Sequence, residues 1–334
     1  MFLGRFRLSF FDYRGTVGIE GRGTPARAMT CSRNDAGLGR TGANLHRLGG
    51  RRAPAARQLR GIVTAHALIS SILAWLFSLA DAGAVAASGT EVHIPSSAPD
   101  VVLAGRLHRP SAQGPSPAVI LMHGCGGWQP AVRRGLKDHA AFFVRNGFVV
   151  LNLDSFGPRG NAGGTVCTSY SQLAQARKYR TRDAFDALEF LRRQTFVDPE
   201  NIFLIGQSNG GSVAMLAATE ANRPAFRGTV ALYPWCGATG SRQLELAAPL
   251  LILGGARDDW VPPRDCQHLA ANGAELRVKV YQDAAHSFDI PIPVQRYLGK
   301  RIGFNRSAAE DSRNEMVRFF RRHVTDREGT AALR

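Results

Sequence analysis

The sequence predicts an α/β fold, a mostly parallel central sheet with helices on both faces. Two observations carry this. From about residue 90 to 325, apolar runs of strand length alternate with stretches of helical spacing. The runs are near-continuously apolar, as strands buried on both faces must be, rather than alternating with polar residues. In order, residues 101–108 read as an early strand and 117–123 (Pro-Ala-Val-Ile-Leu-Met-His) as a buried one. Residues 133–146 place Leu136, Ala140, Phe143 and Val144 on one helical face, and 147–154 form the next strand. The Gly-, Pro-, Asn- and Ser-rich stretch 154–167 reads as a long loop. A long helix over 171–194 turns Ala184, Phe185, Leu188 and Leu191 inward. A strand over 201–205 and a helix over 212–218 follow, then strands at 228–234, 249–254 and 276–281 and a closing helix over 308–323. No repeat of 20–50 residues is visible, so one domain is expected over about 90–325.

The net charge of +16 suggests a polyanionic partner until it is located along the chain. Residues 1–60 hold 12 Arg, no Lys and three acidic residues, a balance of +9, so more than half of the excess lies in the first fifth. That stretch is rich in Gly and Arg, lacks apolar periodicity and cannot build a core. It is expected to be a disordered leader, consistent with an over-extended gene start, and nucleic acid is not an expected partner. Arg51, Arg52, Arg57 and Arg60 then precede nineteen residues, 62–80, without a formal charge, and Ala84-x-Ala86 follows. A basic region, an apolar region and a small-residue cut site make 61–86 a signal peptide, with cleavage expected after Ala86. An uncleaved membrane anchor over 62–80 is the open alternative. The protein is therefore expected to be exported.

Cys125, Cys167, Cys236 and Cys266 lie in the globular part, an even number without Cys-x-x-Cys spacing. Disulfides Cys125–Cys167 and Cys236–Cys266 are expected, with four buried thiols as the alternative. Their spacing is not that of a metal site.

The chemistry centres on Gly206-Gln-Ser208-Asn-Gly210, between a strand and a helix. This is the setting of a nucleophile elbow, in which glycines on either side of the serine allow the tight turn. A serine hydroxyl needs a base, and the base an orienting acid, in the chain order Ser, acid, His. Asp258 and His286 supply them, each just after a strand. Asp259 stays open as the acid; Asp258 is preferred for its Asp-x-x-Val-Pro spacing. Asp283 and Asp289 read as loop-capping carboxylates and His123 as a structural residue. Two backbone N–H groups must hold the developing oxyanion. Asn209, after the serine, and Cys125, in the glycine-rich His123-Gly-Cys-Gly-Gly127, are the expected donors. Arg159 is a candidate clamp for a substrate carboxylate, with structural pairing to Asp154 or a loop carbonyl as the alternative. Trp128 and Trp260, with Phe156, Trp235 and Phe288, are candidates to line a substrate pocket. A binding protein on a retired hydrolase fold is the competing reading.

Together His123-Gly-Cys-Gly-Gly127, Asp154-Ser-Phe-Gly-Pro-Arg-Gly160, Gly206-Gln-Ser-Asn-Gly-Gly211, Asp258-Asp-Trp-Val-Pro262 and Ala285-His-Ser-Phe-Asp289 resemble the dienelactone hydrolase family. The resemblance covers about 95–325. It implies an α/β-hydrolase fold, no metal or organic cofactor, hydrolysis of small-molecule esters or lactones, and the triad Ser208–Asp258–His286. One departure stands out: dienelactone hydrolases proper use cysteine where this chain has Ser208. That implies a serine-dependent, carboxylesterase-like member rather than an enzyme for the dienelactone itself.

Overall fold

A computed structural model of the chain describes residues 89–112, 114–161 and 164–325. The leader over 1–60 and the signal or anchor over 61–86 lie outside the described residues. The strands are β1 (Thr90–Pro95), β2 (Val102–His108), β3 (Ser116–Met122), β4 (Val149–Asp154), β5 (Val197–Gln207), β6 (Gly228–Leu232), β7 (Gln243–Leu246), β8 (Leu250–Gly255), β9 (Ala270–Gly273), β10 (Leu276–Tyr281), β11 (Gln295–Tyr297) and β12 (Lys300–Ile302). Eight of them form one sheet in the order β1-β2-β4-β3-β5-β6-β8-β10. Only the pairings β1–β2 and β2–β4 are antiparallel; from β4 to β10 the sheet is parallel. The mostly parallel sheet read from the sequence is therefore the sheet observed.

Strand order decides where a site can form. The chain runs from β3 outward to β4, then returns to lay β5 on the other flank of β3. The loops leaving the carboxyl ends of β3 and β5 therefore depart in opposite directions and open a crevice between them. Gly124 and Cys125 follow β3, and Ser208 follows β5, so both sit at that crevice.

The helices are α1 (Pro130–Arg145), α2 (Tyr170–Arg192), α3 (Asn209–Ala218), α4 (Arg264–Gln267) and α5 (Arg306–His323). Side chains along β3 alternate between two cores. Ala118, Ile120 and Met122 pack with Ala184, Leu188 and Leu191 of α2 and Val213 of α3. Val119 and Leu121 pack with Leu136 and Phe143 of α1 and with Phe319 and Phe320 of α5. Each of the Val, Leu, Ile, Met and Phe side chains among them contributes roughly 1.5–3 kcal/mol by leaving water. α1 begins three residues before the expected 133 because proline is well placed at the start of a helix, where its missing N–H costs nothing. Asn305 Oδ1 caps α5 by accepting from the Ala308 N–H at 3.0 Å. β1, β7, β9, β11, β12 and α4 were not expected; all but β1 are four residues or fewer, too short for a period to register.

Cys125–Cys167 and Cys236–Cys266 are disulfides, as paired in the sequence reading. The second ties the turn after β6 to α4. Serine at both Cys236 and Cys266 is expected to lower unfolding free energy by about 3.5 kcal/mol on the chain-entropy model for a loop of this length. Urea denaturation of the purified variant measures this. Among the described residues no helix is long and apolar enough to cross a membrane.

Candidate active site

The turn after β5 is as tight as its glycines imply. A Cβ on Gly206 would lie 1.9 Å from the Gly210 carbonyl oxygen, and one on Gly210 would lie 2.6 Å from the carbonyl oxygens of Met122 and His123. Ser208 itself is held at φ 52°, a strained backbone that lifts its side chain off the sheet at the start of α3.

His286 arrives on the loop after β10, and its carbonyl accepts from the Gly303 N–H at 3.0 Å. Its Nε2 lies 3.0 Å from Ser208 Oγ and its Nδ1 2.7 Å from Asp258 Oδ2. Asp258 follows β8; its other oxygen accepts from the N–H groups of Trp260 (2.9 Å) and Val261 (3.0 Å). With the carboxylate held, the ring proton belongs on Nδ1, which leaves Nε2 to accept from the serine hydroxyl. Asp259 is exposed, accepts from the Arg301 N–H at 2.7 Å and pairs with Arg296. That backbone bond and its cationic neighbours hold its carboxyl below the usual range. The acid against the imidazole is therefore Asp258.

The loop after β3 reaches over the serine from the other side. Gly124 comes so close that a Cβ there would meet Ser208 Cβ at 3.2 Å. Cys125 is next along, pinned by its disulfide to Cys167. Beneath the loop lies Arg180 of α2, fully buried. It donates from Nη1 to Asn209 Oδ1 (2.8 Å) and from Nη2 to the His123 carbonyl (2.5 Å). One guanidinium thus braces both strand ends that flank the crevice. Burial pulls its pKa down to about 10, so it remains charged at neutral pH. Asn209 also donates from Nδ2 to the Leu173 carbonyl at 3.1 Å.

His123 is buried beside it, with Nδ1 2.7 Å from the Gly124 carbonyl and Nε2 3.4 Å from Asp154 Oδ1. Desolvation, and then the Arg180 charge, lower its pKa from 6.5. Unfolded protein therefore takes up a proton that the folded state refuses. The stability this contributes is complete above about pH 6.5 and is lost as pH falls below it towards the folded value. The melting temperature is expected to drop from pH 7 to 5, with a shallower drop in His123→Gln, by scanning calorimetry.

Asp289 does not cap a loop. It is fully buried and accepts from His139 Nε2 (2.7 Å), Gln207 Nε2 (2.6 Å) and the Tyr233 hydroxyl (2.5 Å). Burial pushes its carboxyl up, but these three donors outweigh it and hold the group low. Tyr233 packs its ring on His286 at 4.7 Å, so this network backs the imidazole.

Other sequence candidates separate. Trp260 lies 5.1 Å from the His286 ring and lines the space beside Ser208. Trp128 lines a different cavity, between α1 and β2, away from the serine. Arg159, the candidate clamp, is engaged within the fold: its Nη atoms donate to Asp183 (2.8 and 2.9 Å), and one also donates to the Ser155 carbonyl, a loop carbonyl as the alternative held. Its partner is Asp183, not Asp154. Phe156 and Phe288 are core residues, and Trp235 lines a cavity at Ser208. Arg177, Arg180, Tyr233 and the Asp289 network went unread in the sequence. A signal existed for both arginines: Arg177 and Arg180, with Asp183, fall on the same helical stripe as Ala184, Ala187 and Leu191, where charge is out of place.

The family model described as dienelactone hydrolase family matches residues 103–324. A thiohydrolase, aneE, of Aspergillus aculeatus is 35% identical over 116 residues, 35% of this chain and 33% of that protein. The chain thus spans about a third of the length of the curated relative it matches. Among solved structures, a Klebsiella pneumoniae protein assigned as a dienelactone hydrolase is similar at TM-score 0.55 and 21% identity, over 70% of this chain and 98% of that one. A dienelactone hydrolase-like promiscuous phosphotriesterase from metagenomic libraries is similar at 0.53 and 19%, over 71% and 98%. A propionate-bound esterase, Est2, of Thermogutta terrifontis is similar at 0.50 and 16%, over 70% and 93%.

Proposed function

This chain belongs to the dienelactone hydrolase family, and is a hydrolase, and on that premise we propose that it cleaves carboxylic esters or lactones of small molecules through a serine acyl-enzyme. The observation that carries the reading is the unbroken hydrogen-bond chain from Ser208 Oγ through His286 to Asp258. His286 Nε2 takes the hydroxyl proton as Oγ attacks the carbonyl carbon. The carbonyl oxygen becomes an oxyanion held by the N–H groups of Asn209 and Cys125. The first of these lies at the amino end of α3, where the helix dipole favours negative charge. His286 returns the proton to the departing alcohol oxygen. It then deprotonates a water that attacks the acyl carbon, and Ser208 is regenerated. Asp258 holds the imidazole and stabilises its charged form throughout.

A fluorophosphonate probe tests the reading against that of an inactive binding protein. Stoichiometric phosphonylation, mapped by mass spectrometry to Ser208, is expected; an unlabelled folded protein overturns it. Ester, lactone and thioester panels rank substrates, the thioesters because one relative is a thiohydrolase. Two disulfides support an oxidising compartment, and we extend the proposal to export of a folded unit over about 90–325. Amino-terminal sequencing of the mature form tests that.

A further inference from the structure

Two cavities meet at Ser208, and they differ in chemistry. One, of about 200 Å³, has His286, Tyr233, Ile290, Ile292 and Ile302 in its wall. The other, of about 240 Å³, has Asn209, Leu173, Tyr170, Arg177 and Trp235, without His286. Ser208, Cys125 and Trp260 line both. This division orients a substrate. His286 must hand its proton to the departing oxygen, so the leaving group occupies the cavity that contains the imidazole. The acyl chain then runs the other way, into the cavity of Arg177.

Arg177 is an unusual wall for an acyl pocket. It is 8% exposed, and its guanidinium carbon sits 4.6 Å over the Trp235 ring, with the Tyr170 ring at 6.0 Å. Tyr170 and Trp235 meet edge to face at 5.6 Å and close the far side. Among the described residues no carboxylate pairs with Arg177. Its neighbours on the same helix differ: Arg180 is spent on two carbonyl oxygens, and Asp183 on Arg159. A stacked guanidinium keeps its charge and presents a planar fork suited to an anion. Burial lowers its pKa, offset in part by a hydrogen bond to the Tyr170 hydroxyl, a neutral partner that leaves the charge without a counter-ion. A carboxylate arriving on the substrate restores that missing partner.

We propose that the substrate is a half-ester of a short dicarboxylic acid. The free carboxylate, on the acyl part, binds Arg177, and the departing alcohol is uncharged and lies against Ile290, Ile292 and Ile302. Release gives the dicarboxylate and the alcohol, with one water consumed and one proton released. This rests on the reading of Ser208 as nucleophile. The volume of the cavity, below the roughly 300–1,000 Å³ of sites for drug-sized ligands, restricts the acid to a few carbons.

The test measures kcat/KM by ethanol release from the monoethyl esters of succinate, glutarate and adipate. Each is compared with the ethyl ester of the matching monoamide, which keeps the shape and removes the charge. Acetoxyacetate, with its carboxylate on the leaving side, is compared with ethyl acetate by release of acetate, their common product. The best half-ester is expected to exceed its amide about tenfold to a hundredfold, the value of a charge-assisted hydrogen bond. Acetoxyacetate is expected to show no gain. In Arg177→Met the half-ester advantage is expected to collapse towards one, and Arg177→Lys to keep part of it. No advantage in the unmodified protein, an advantage on the leaving side instead, or an advantage that survives Arg177→Met overturns the inference. Ser208→Ala separates the two readings. If that variant still hydrolyses the monoamide esters, the nucleophile assignment falls. If hydrolysis needs Ser208 but ignores the acyl charge, only the present inference falls.

Discussion

Ser208→Ala is expected to reduce ester turnover by about four to six orders of magnitude, the scale on which triads fail when the nucleophile is removed. The fold should survive, because alanine takes up the same backbone position with one atom fewer. What disappears is the acyl-enzyme route, and the residue left behind is an oxyanion site and a pocket that still orient a substrate for water. That remainder sets the floor of about 10³-fold or more over the uncatalysed rate seen in other triads. Steady-state kinetics with p-nitrophenyl acetate, against a folded-protein blank, measures the effect. Turnover within tenfold of the unmodified protein removes Ser208 from the mechanism.

Arg180→Met is the second large effect. The guanidinium is buried and holds the Asn209 side chain and the His123 carbonyl. The first belongs to a residue whose own N–H is assigned to the oxyanion, and the second lies two residues before the other assigned donor, Cys125. Methionine fills much of the volume but donates nothing, so two acceptors are orphaned, at about 1–3 kcal/mol for each buried group left unpaired. The loss of the buried charge itself offsets part of this. The larger consequence is catalytic. If the two donors drift, stabilisation is lost only where the oxyanion forms. kcat is then expected to fall by about a hundredfold, within the range for removal of one donor, while KM stays within a few-fold. Arg180→Lys keeps the charge with one fewer direction of donation and is expected to recover part of kcat. A uniform rise in KM with kcat unchanged assigns Arg180 to substrate binding or to packing instead.

Much of this molecule is legible in its sequence because the physics involved is local. Strand-length apolar runs alternating with 3.6-residue spacing are enough to imply a parallel sheet covered on both sides. The glycines at 206 and 210 announce the elbow because no side chain fits there, whatever the rest of the fold does. Asp258 and His286 follow strands, and a parallel sheet brings its carboxyl ends to one edge, so their approach to Ser208 could be expected from chain order alone. Even the disulfide pairing was available as an expectation.

The tertiary structure alone decided the choices that depend on which partner gets there first. Asp258 and Asp259 are chemically equivalent neighbours; one faces the imidazole and the other the Arg301 N–H because the loop after β8 turns between them. Arg159 lies in the motif that suggested a substrate clamp, yet Asp183, twenty-four positions away, had already claimed both arms of its guanidinium. Arg177 and Arg180 are three residues apart on one helix; one braces the backbone and the other is left for a ligand. Asp289, which reads as a loop cap, is the buried acceptor of three donors from three other elements. A charged side chain carries no mark of its eventual partner, because the energy of a charge depends on distance and burial, and both are set by residues remote in the chain.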